Sequence, residues 1–460
     1  MWAHSQRFAH MKNGGVYLKE WSEGMKTIGV GFLGCGNVGG GVWRLLREME
    51  GTLLHRDRVR FEVRKILVRD ISKPRDPDIP AHLFTTDVDA VLYDTSVSLV
   101  LEFMGGVQPA ADYIARALRC GKSVVTANKM AVGARWEVLQ QAAETGGAAL
   151  HFEAAVAAAI PVIRVLQHSM QANRIDSVIG IVNGTTNYIL SRMDEEGLDY
   201  AAALAEAQGL GLAEPDPFAD VEGVDAACKL SILASMAFHA RVPKSWIQRR
   251  GISALEPADM RFARQLGYRV KLLALARREG QRVEAQVRPT LIPLDHPLSS
   301  VGGAMNAILL ETHAAGPVML YGKGAGDLPT ASAIVSDMVQ AVNTSQWQPT
   351  FFISDHAAPD LYPAEDPESV YYIRLDAAEA PETLARIAEA LAGEGVGIAA
   401  AIQNQYNGRG ILHVANTEGA PLVLLTHRAK ASAVQAALEV MPEKYARMKA
   451  MIPVEDLAAY

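Results

Sequence analysis

Residues 28–46 read IGVGFLGCGNVGGGVWRLL, and this stretch decides the fold of the first part of the chain. Ile28 to Leu33 is apolar without alternation, the pattern of a short parallel strand buried on both faces. It runs into Gly34-Cys35-Gly36-Asn37-Val38-Gly39, a G-x-G-x-x-G, after which Val38, Val42, Leu45 and Leu46 mark the apolar stripe of a helix. The first glycine permits a tight turn, the second lets backbone approach a pyrophosphate, and the third lets the helix pack closely. The helix start adds free N–H groups and a favourable dipole. Gly34, Gly36, Asn37, Val38 and Gly39 are therefore the expected dinucleotide-binding turn.

Working outward, Val63 to Val68 reads as the second strand, followed by Arg69-Asp70. An acid here suits the ribose hydroxyls of NAD, whereas Arg69, with Lys73 and Arg75 close by, suits the 2′-phosphate of NADP. The basic character favours NADP. A strand over Val97 to Leu101 leads into Glu102-Phe103-Met104-Gly105-Gly106, and one over Ser123 to Thr126 leads into Ala127-Asn128-Lys129. Ligands on open parallel sheets sit at the carboxyl ends of strands, which makes Lys129 a candidate site lysine.

Near residue 150 the strand–helix alternation becomes less regular. His151-Phe152-Glu153 precedes a run of small residues, Ala154 to Ile160. Gly180 to Tyr188 (GIVNGTTNY) packs short polar side chains after a strand, either as a ligand-binding loop or as a turn and helix cap. Residues 214–225 (EPDPFADVEGVD) hold Glu214, Asp216, Asp220, Glu222 and Asp225. From Val224 the chain is helix-like, and Asp225 and Lys229 stand four apart on one face. They could form a surface ion pair stabilising the helix by ~0.2–0.5 kcal/mol. Alternatively, apolar Cys228, Leu230, Ile232 and Leu233 desolvate the lysine and make it a general acid near neutral pH. The carboxylates could also hold Mg²⁺ or Ca²⁺, although their spacing misses the EF-hand pattern.

Length and composition set the frame around these motifs. At ~150 residues per domain, 460 residues predict about three domains. A net charge of −7 gives no basic excess for nucleic acid. Three cysteines (Cys35, Cys120, Cys228) form no CxxC pair, which fits a reducing compartment. No apolar run reaches the ~18–20 residues of a membrane span. Residues 1–24 lack the apolar centre of a signal peptide, so the expectation is a cytoplasmic protein with a poorly ordered N-terminal extension and Met25 as a plausible alternative start. Gly121-Lys122-Ser123 looks like the end of a phosphate loop, but Arg116 stands where its first glycine belongs. The G-x-S-x-G elbow and H-E-x-x-H motif of common hydrolases are missing.

Together the motifs resemble homoserine dehydrogenase, the NAD(P)-dependent family that interconverts L-homoserine and L-aspartate 4-semialdehyde in threonine, methionine and isoleucine biosynthesis. The matching segments are GFLGCGNVGGGV (31–42), EFMGG (102–106), TANK (126–129), NGTTNYILSRM (183–193), EPDPFADVEGVDAACKLSIL (214–233) and GKGAGDLPTASAIVSDM (322–338). The resemblance implies that Lys229 donates the proton as the nicotinamide delivers hydride, with Lys129 beside the nicotinamide and substrate. It implies that Glu214 and Asp225 hold the amino-acid portion of the substrate, with Asp220 nearby. Acids suit the substrate amine, and its carboxylate needs donors, for which Asn183 and Thr185, within Asn183 to Thr186, are candidates. Glu153 and the carbonyls of Val156, Ala158 and Ile160 match the family's monovalent-cation loop, for Na or K. Gly322 to Gly326 would return to the nucleotide domain, with Gly326 against the cofactor. One departure stands out: the family usually carries glycines where this chain has Ala157-Ala158-Ala159, and backbone ligation tolerates alanine only at negative φ.

After a Pro/Asp/Glu-rich linker (355–369), Tyr371–Leu375, Val396–Gln403, Leu422–Thr426 and a segment near 450 read as strands. Helices over Pro381–Ala392 and Ala429–Met441 complete a βαββαβ order, a ferredoxin-like module that resembles an ACT domain. Its first turn reads Pro381-Glu382 in place of the family's Pro-Gly, and ILHVAN (411–416) looks like an added strand. An amino-acid effector such as threonine, or a module kept only for dimerisation, are the two readings.

The expected fold class is thus α/β. A Rossmann-type nucleotide domain (25–150 plus about 315–345) precedes an α+β catalytic and dimerisation domain (151–314), and the ACT-like module (370–460) follows. The expected assembly is a homodimer or homotetramer with a small-molecule substrate. The alternatives are a catalytically silent NADP and amino-acid sensor, or a dehydrogenase for another amino-acid semialdehyde.

Overall fold

The computed structural model describes residues 25–343, 361–378, 380–403 and 420–455. The expected extension (1–24), the first part of the linker (355–360 of 355–369) and the ILHVAN segment (411–416) lie outside these residues.

The nucleotide unit begins with β1 (Lys26–Leu33), α1 (Asn37–Glu48), β2 (Val59–Leu67), β3 (Phe84–Thr85) and β4 (Leu99–Glu102). It continues with α2 (Ala110–Arg119), β5 (Ser123–Thr126), α3 (Lys129–Ala134), α4 (Trp136–Gly146) and β6 (Leu150–His151). Its strands are parallel in the order β3-β2-β1-β4-β5-β6, the doubly wound arrangement whose order reverses between β1 and β4. Two expected strand limits shift. β2 starts at Val59, ahead of the expected Val63, since Arg60, Glu62 and Arg64 interrupt the apolar run that marks a strand in sequence. β4 extends to Glu102, whose carboxylate is fully buried but hydrogen-bonded. Buried Lys122 donates to the carbonyls of Asp94 and Val97, a structural role that accounts for the Gly-Lys-Ser look-alike.

The second unit holds β7 (Ile175–Ile181), α5 (Gly184–Glu196), α6 (Val224–Phe238), α7 (Pro257–Gln265), β8 (Tyr268–Glu279), β9 (Arg282–Pro293), β10 (Met305–Thr312) and β11 (Gly316–Lys323). These strands pair antiparallel in the order β11-β10-β7-β8-β9. Because β11 is the edge strand of this sheet, the return to the nucleotide unit begins with α8 (Asp327–Asn343) rather than near residue 315. The missing side chain of Gly41 lets the start of α8 sit against α1, since a Cβ there would lie 3.2 Å from the Asp327 carbonyl. Arg44 donates to Asp327 across the same contact at 3.0 Å.

The C-terminal unit runs β12 (Glu368–Ala377), α9 (Thr383–Gly393), β13 (Ile398–Gln403), β14 (Ala420–Thr426), α10 (Ala431–Glu439) and β15 (Ala446–Val454). Its spatial order is β15-β12-β14-β13, a ferredoxin-like βαββαβ sheet. It is joined to the catalytic sheet where β9 meets β15 at Leu291 and Val454. Behind that seam, fully buried Asp259 of α7 accepts from Arg374 Nε at 2.7 Å and Nη2 at 3.2 Å, and from the Tyr372 hydroxyl at 3.2 Å. One apolar cluster runs from Val100 and Leu139 through Leu230 and Ile232 to Tyr372 and Ile452. Among the described residues no helix is long and apolar enough to cross a membrane.

Candidate active site

The glycine turn has the shape a pyrophosphate needs. Gly34 has φ +99°, a left-handed conformation that glycine adopts without strain, and a Cβ there would press on the Phe103 backbone. Gly36 has open space where a side chain would project, and Gly39 packs on the Phe103 ring. No side chain caps the start of α1 and its first turn holds no acid, an arrangement that suits an anionic ligand. Asn37 and Val38 form this first turn, and Gly326, at φ +119°, precedes α8. Beyond β2, Arg69 is exposed, while the Asp70 carboxylate is tied to the Ser72 hydroxyl and N–H at 2.7 and 2.8 Å. These two bonds hold the Asp70 carboxyl below the usual range.

Just beyond β5 stands Asn128, whose side chain accepts from the N–H groups of Met130 and Ala131 and so caps α3. Lys129 is the first residue of that helix, and its Nζ lies 3.1 Å from Asp225 of the catalytic unit. Asp225 also binds Lys229, one turn further along α6, at 2.8 Å, and Lys229 Nζ donates to the Val182 carbonyl at 2.7 Å. The Asp225–Lys229 pair is therefore buried rather than a surface pair; each side chain is about a tenth exposed. Burial alone would push the Asp225 carboxyl up, but Lys229 and Lys129 outweigh it and hold the carboxyl well below the usual carboxylate range.

Asn183 closes the constellation. It caps α5 by accepting from Thr186 N–H at 2.9 Å, and its amide donates to Asp220 at 2.7 Å and Asp225 at 3.0 Å. Burial pushes the Asp220 carboxyl up, with its Asn183 bond opposing. Thr185 donates to the Leu212 carbonyl. The donors expected for a substrate carboxylate at 183–186 are thus engaged inside the protein. Glu214 is exposed, and its backbone carbonyl accepts from the Gln208 amide at 3.1 Å.

The small-residue loop departs from expectation. Ala157 and Ala158 have φ +57° and +42°, so these alanines adopt the left-handed backbone that glycine would supply, at a strain of roughly 1–2 kcal/mol per residue. The criterion of negative φ is not met. Both Glu153 carboxylate oxygens accept backbone N–H groups, of Ile163 and Arg164, at 2.8 Å. Burial and neighbouring Asp337 push Glu153 up to about 7. Among the described residues no group of three His, Cys, Asp or Glu side chains is placed to hold a metal, so the 214–225 acids form no Mg²⁺ or Ca²⁺ site.

Glu102, Thr126, Asn128 and the Val182 carbonyl also border this arrangement, and no sequence pattern marks them for it, save that Glu102 is a carboxylate ending an otherwise apolar parallel strand.

A doubly wound nucleotide fold with a lysine from each of two units on one carboxylate suits an oxidoreductase that uses a nicotinamide cofactor. The homoserine dehydrogenase family model matches residues 161–339, and the model "Homoserine dehydrogenase, NAD binding domain" matches residues 34–153. A homoserine dehydrogenase of Mycobacterium tuberculosis is 43% identical over 91% of this chain and 95% of its own. One from Bacillus subtilis is 37% identical over 88% and 92%. The crystal structure of a homoserine dehydrogenase from Thiobacillus denitrificans superposes with a TM-score of 0.85 at 38% identity, over 95% of this chain and all of that one. The chain belongs to the homoserine dehydrogenase family.

Proposed function

We propose that the chain interconverts L-homoserine and L-aspartate 4-semialdehyde, with NADP as its preferred nicotinamide cofactor over NAD. The observation that carries this reading is the meeting of Lys129, Asp225 and Lys229 across the two domains. When bound, the cofactor supplies a hydride to the aldehyde carbon or takes it back from the alcohol. Hydride arrival leaves negative charge on the former carbonyl oxygen. Lys229 donates a proton from Nζ to that oxygen, and Lys129 adds a second positive charge beside it. In the oxidative direction Lys229 takes the hydroxyl proton. Asp225 holds both ammonium groups, and with Glu214 and Asp220 it offers negative charge to the substrate amine. Asn183 and Thr185 orient Asp220 and the start of α5. Gly34, Gly36, Asn37, Val38, Gly39 and Gly326 hold the dinucleotide. Arg69 supports NADP, because Asp70 is already tied to Ser72.

A Na⁺ or K⁺ ion at the carbonyls of Val156, Ala158 and Ile160 gains no support from this loop, because Ala157 and Ala158 hold positive φ where ligation by an alanine backbone needs negative φ. A homodimer or homotetramer is supported by edge strand β11, which leaves Met319 and Tyr321 exposed. The C-terminal module is read as an ACT-like amino-acid site, with threonine inhibition and calorimetric binding at millimolar threonine as its test. Its failure in both would favour a dimerisation role. The cytoplasm fits the three free cysteines. For the reaction itself, the purified chain is given L-homoserine with NADP or NAD and the absorbance of the reduced nicotinamide is followed. Reduction with kcat/KM about tenfold higher for NADP is expected. Folded protein that reduces neither cofactor would favour the sensor reading instead.

A further inference from the structure

The carboxylate at the end of β4 has no place in the chemistry above, yet it joins the two loops that flank the reactive cleft. Glu102 is fully buried and no ammonium or guanidinium group pairs with it among the described residues. Its Oε1 accepts from the Met104 N–H at 2.7 Å and from the Asn128 amide at 3.3 Å, and its Oε2 accepts from the Thr126 hydroxyl at 2.5 Å. Thr126 Oγ1 in turn accepts from the Asn128 N–H at 3.0 Å. The Asn128 amide also donates to the Gly106 carbonyl at 2.8 Å, while its oxygen caps α3, where Lys129 is the first residue. One carboxylate therefore fixes loop 103–106, which packs on the glycine turn, and loop 126–129, which carries the lysine.

We propose that Glu102, acting through Thr126 and Asn128, is a positioning residue that sets Lys129 at the height where it meets Asp225. The inference rests on the reading of Lys129 as part of the reactive site. A buried carboxylate is costly, and a hydrophobic side chain would close the β4–β5 seam without that cost. Its retention here coincides with donors from both loops, which an apolar residue could not join. Burial pushes the Glu102 carboxyl up while Thr126, Met104 and Asn128 hold it down, so hydrogen bonds rather than an ion pair fix its place. The link through Thr126 is directional. The hydroxyl donates its one proton to Glu102 and accepts from Asn128, so removing it breaks the shorter link from the carboxylate to the lysine loop and leaves only the 3.3 Å bond from the Asn128 amide there, with the Met104 bond in place.

The test compares wild type with Glu102→Gln, Thr126→Val and Thr126→Ser, measuring homoserine turnover, NADPH binding by fluorescence titration and melting temperature. Thr126→Val is nearly isosteric, and it keeps the question open to measurement if Glu102→Gln does not fold. We expect Thr126→Val to lower kcat about tenfold or more, with the NADPH Kd within about threefold of wild type, since small misplacements of a reacting group have effects of this size. Thr126→Ser restores the hydroxyl and should recover most of the lost turnover. Wild-type kcat in folded Thr126→Val, or equal impairment in Thr126→Ser, would overturn the inference while leaving the dehydrogenase reading intact. An inactive wild type would overturn that reading and this inference with it.

Discussion

Asp225 is the residue on which the site turns, because two lysines from different domains share its carboxylate. Replacing it with asparagine leaves a buried ammonium without its counter-ion, and breaking such a pair costs about 3–5 kcal/mol. We expect Asp225→Asn to lower unfolding free energy by an amount of that order in urea titration, and to lower kcat about a hundredfold. Because the Asp225 carboxyl lies below its unfolded value, its stabilising contribution is full above pH ~4 and fades as the pH falls further. Acid unfolding should therefore be less steep in the variant, and an unchanged acid limb would count against the pairing. The Asp225–Lys229 half of this arrangement is legible in the sequence, since an i, i+4 spacing on a helix is local. The Lys129 half is not, because a contact between residues 96 apart in sequence leaves no periodic trace.

At the scale of elements, the glycine turn was the most readable part, since tight-turn geometry imposes its own residue choice. Gly34 and Gly326 sit at positive φ as that chemistry requires. The same logic misled at Ala157 and Ala158, where surrounding packing imposes a left-handed backbone on residues that do not favour it. Strand β8 hides another feature no pattern marks. Lys271 is buried there, donating to the Asn187 side chain at 3.1 Å and to the Val301 carbonyl, and burial together with Arg269 lowers it to about 8. A lysine whose folded value is depressed weakens the fold wherever it is charged in both states. Its penalty is therefore full below pH ~8 and disappears as the pH rises toward ~10.4, with a size of roughly 3 kcal/mol from the shift. Lys271→Met should flatten the rise in stability between pH 8 and 10, measured by urea unfolding at each pH. An identical slope in both proteins would contradict this account of β8.

At the scale of the whole molecule, length leads to an expectation of about three domains but says nothing of how tightly the C-terminal unit is joined. Asp259 and Arg374 look in sequence like solvated charges of a helix and a strand, and only the fold brings them together in a buried bidentate pair. With the shared apolar cluster and the β9–β15 seam, this makes the C-terminal unit continuous with the catalytic one. Arg374→Met should cost about 3–5 kcal/mol, because Asp259 is left buried without its cation. Fluorescence and far-ultraviolet circular dichroism should still report one joint transition for the two units. Separate transitions in the wild type would show the module to be an independent attachment.

The central claim concerns the proton donor, and steady-state turnover of Lys229→Ala with L-homoserine and NADP tests it most directly. General acid–base groups contribute about 10²–10⁴-fold, so kcat should fall by at least two orders of magnitude while NADPH binding and the circular dichroism spectrum are retained. Turnover near that of the wild type in this variant would remove Lys229 from the reaction and contradict the account.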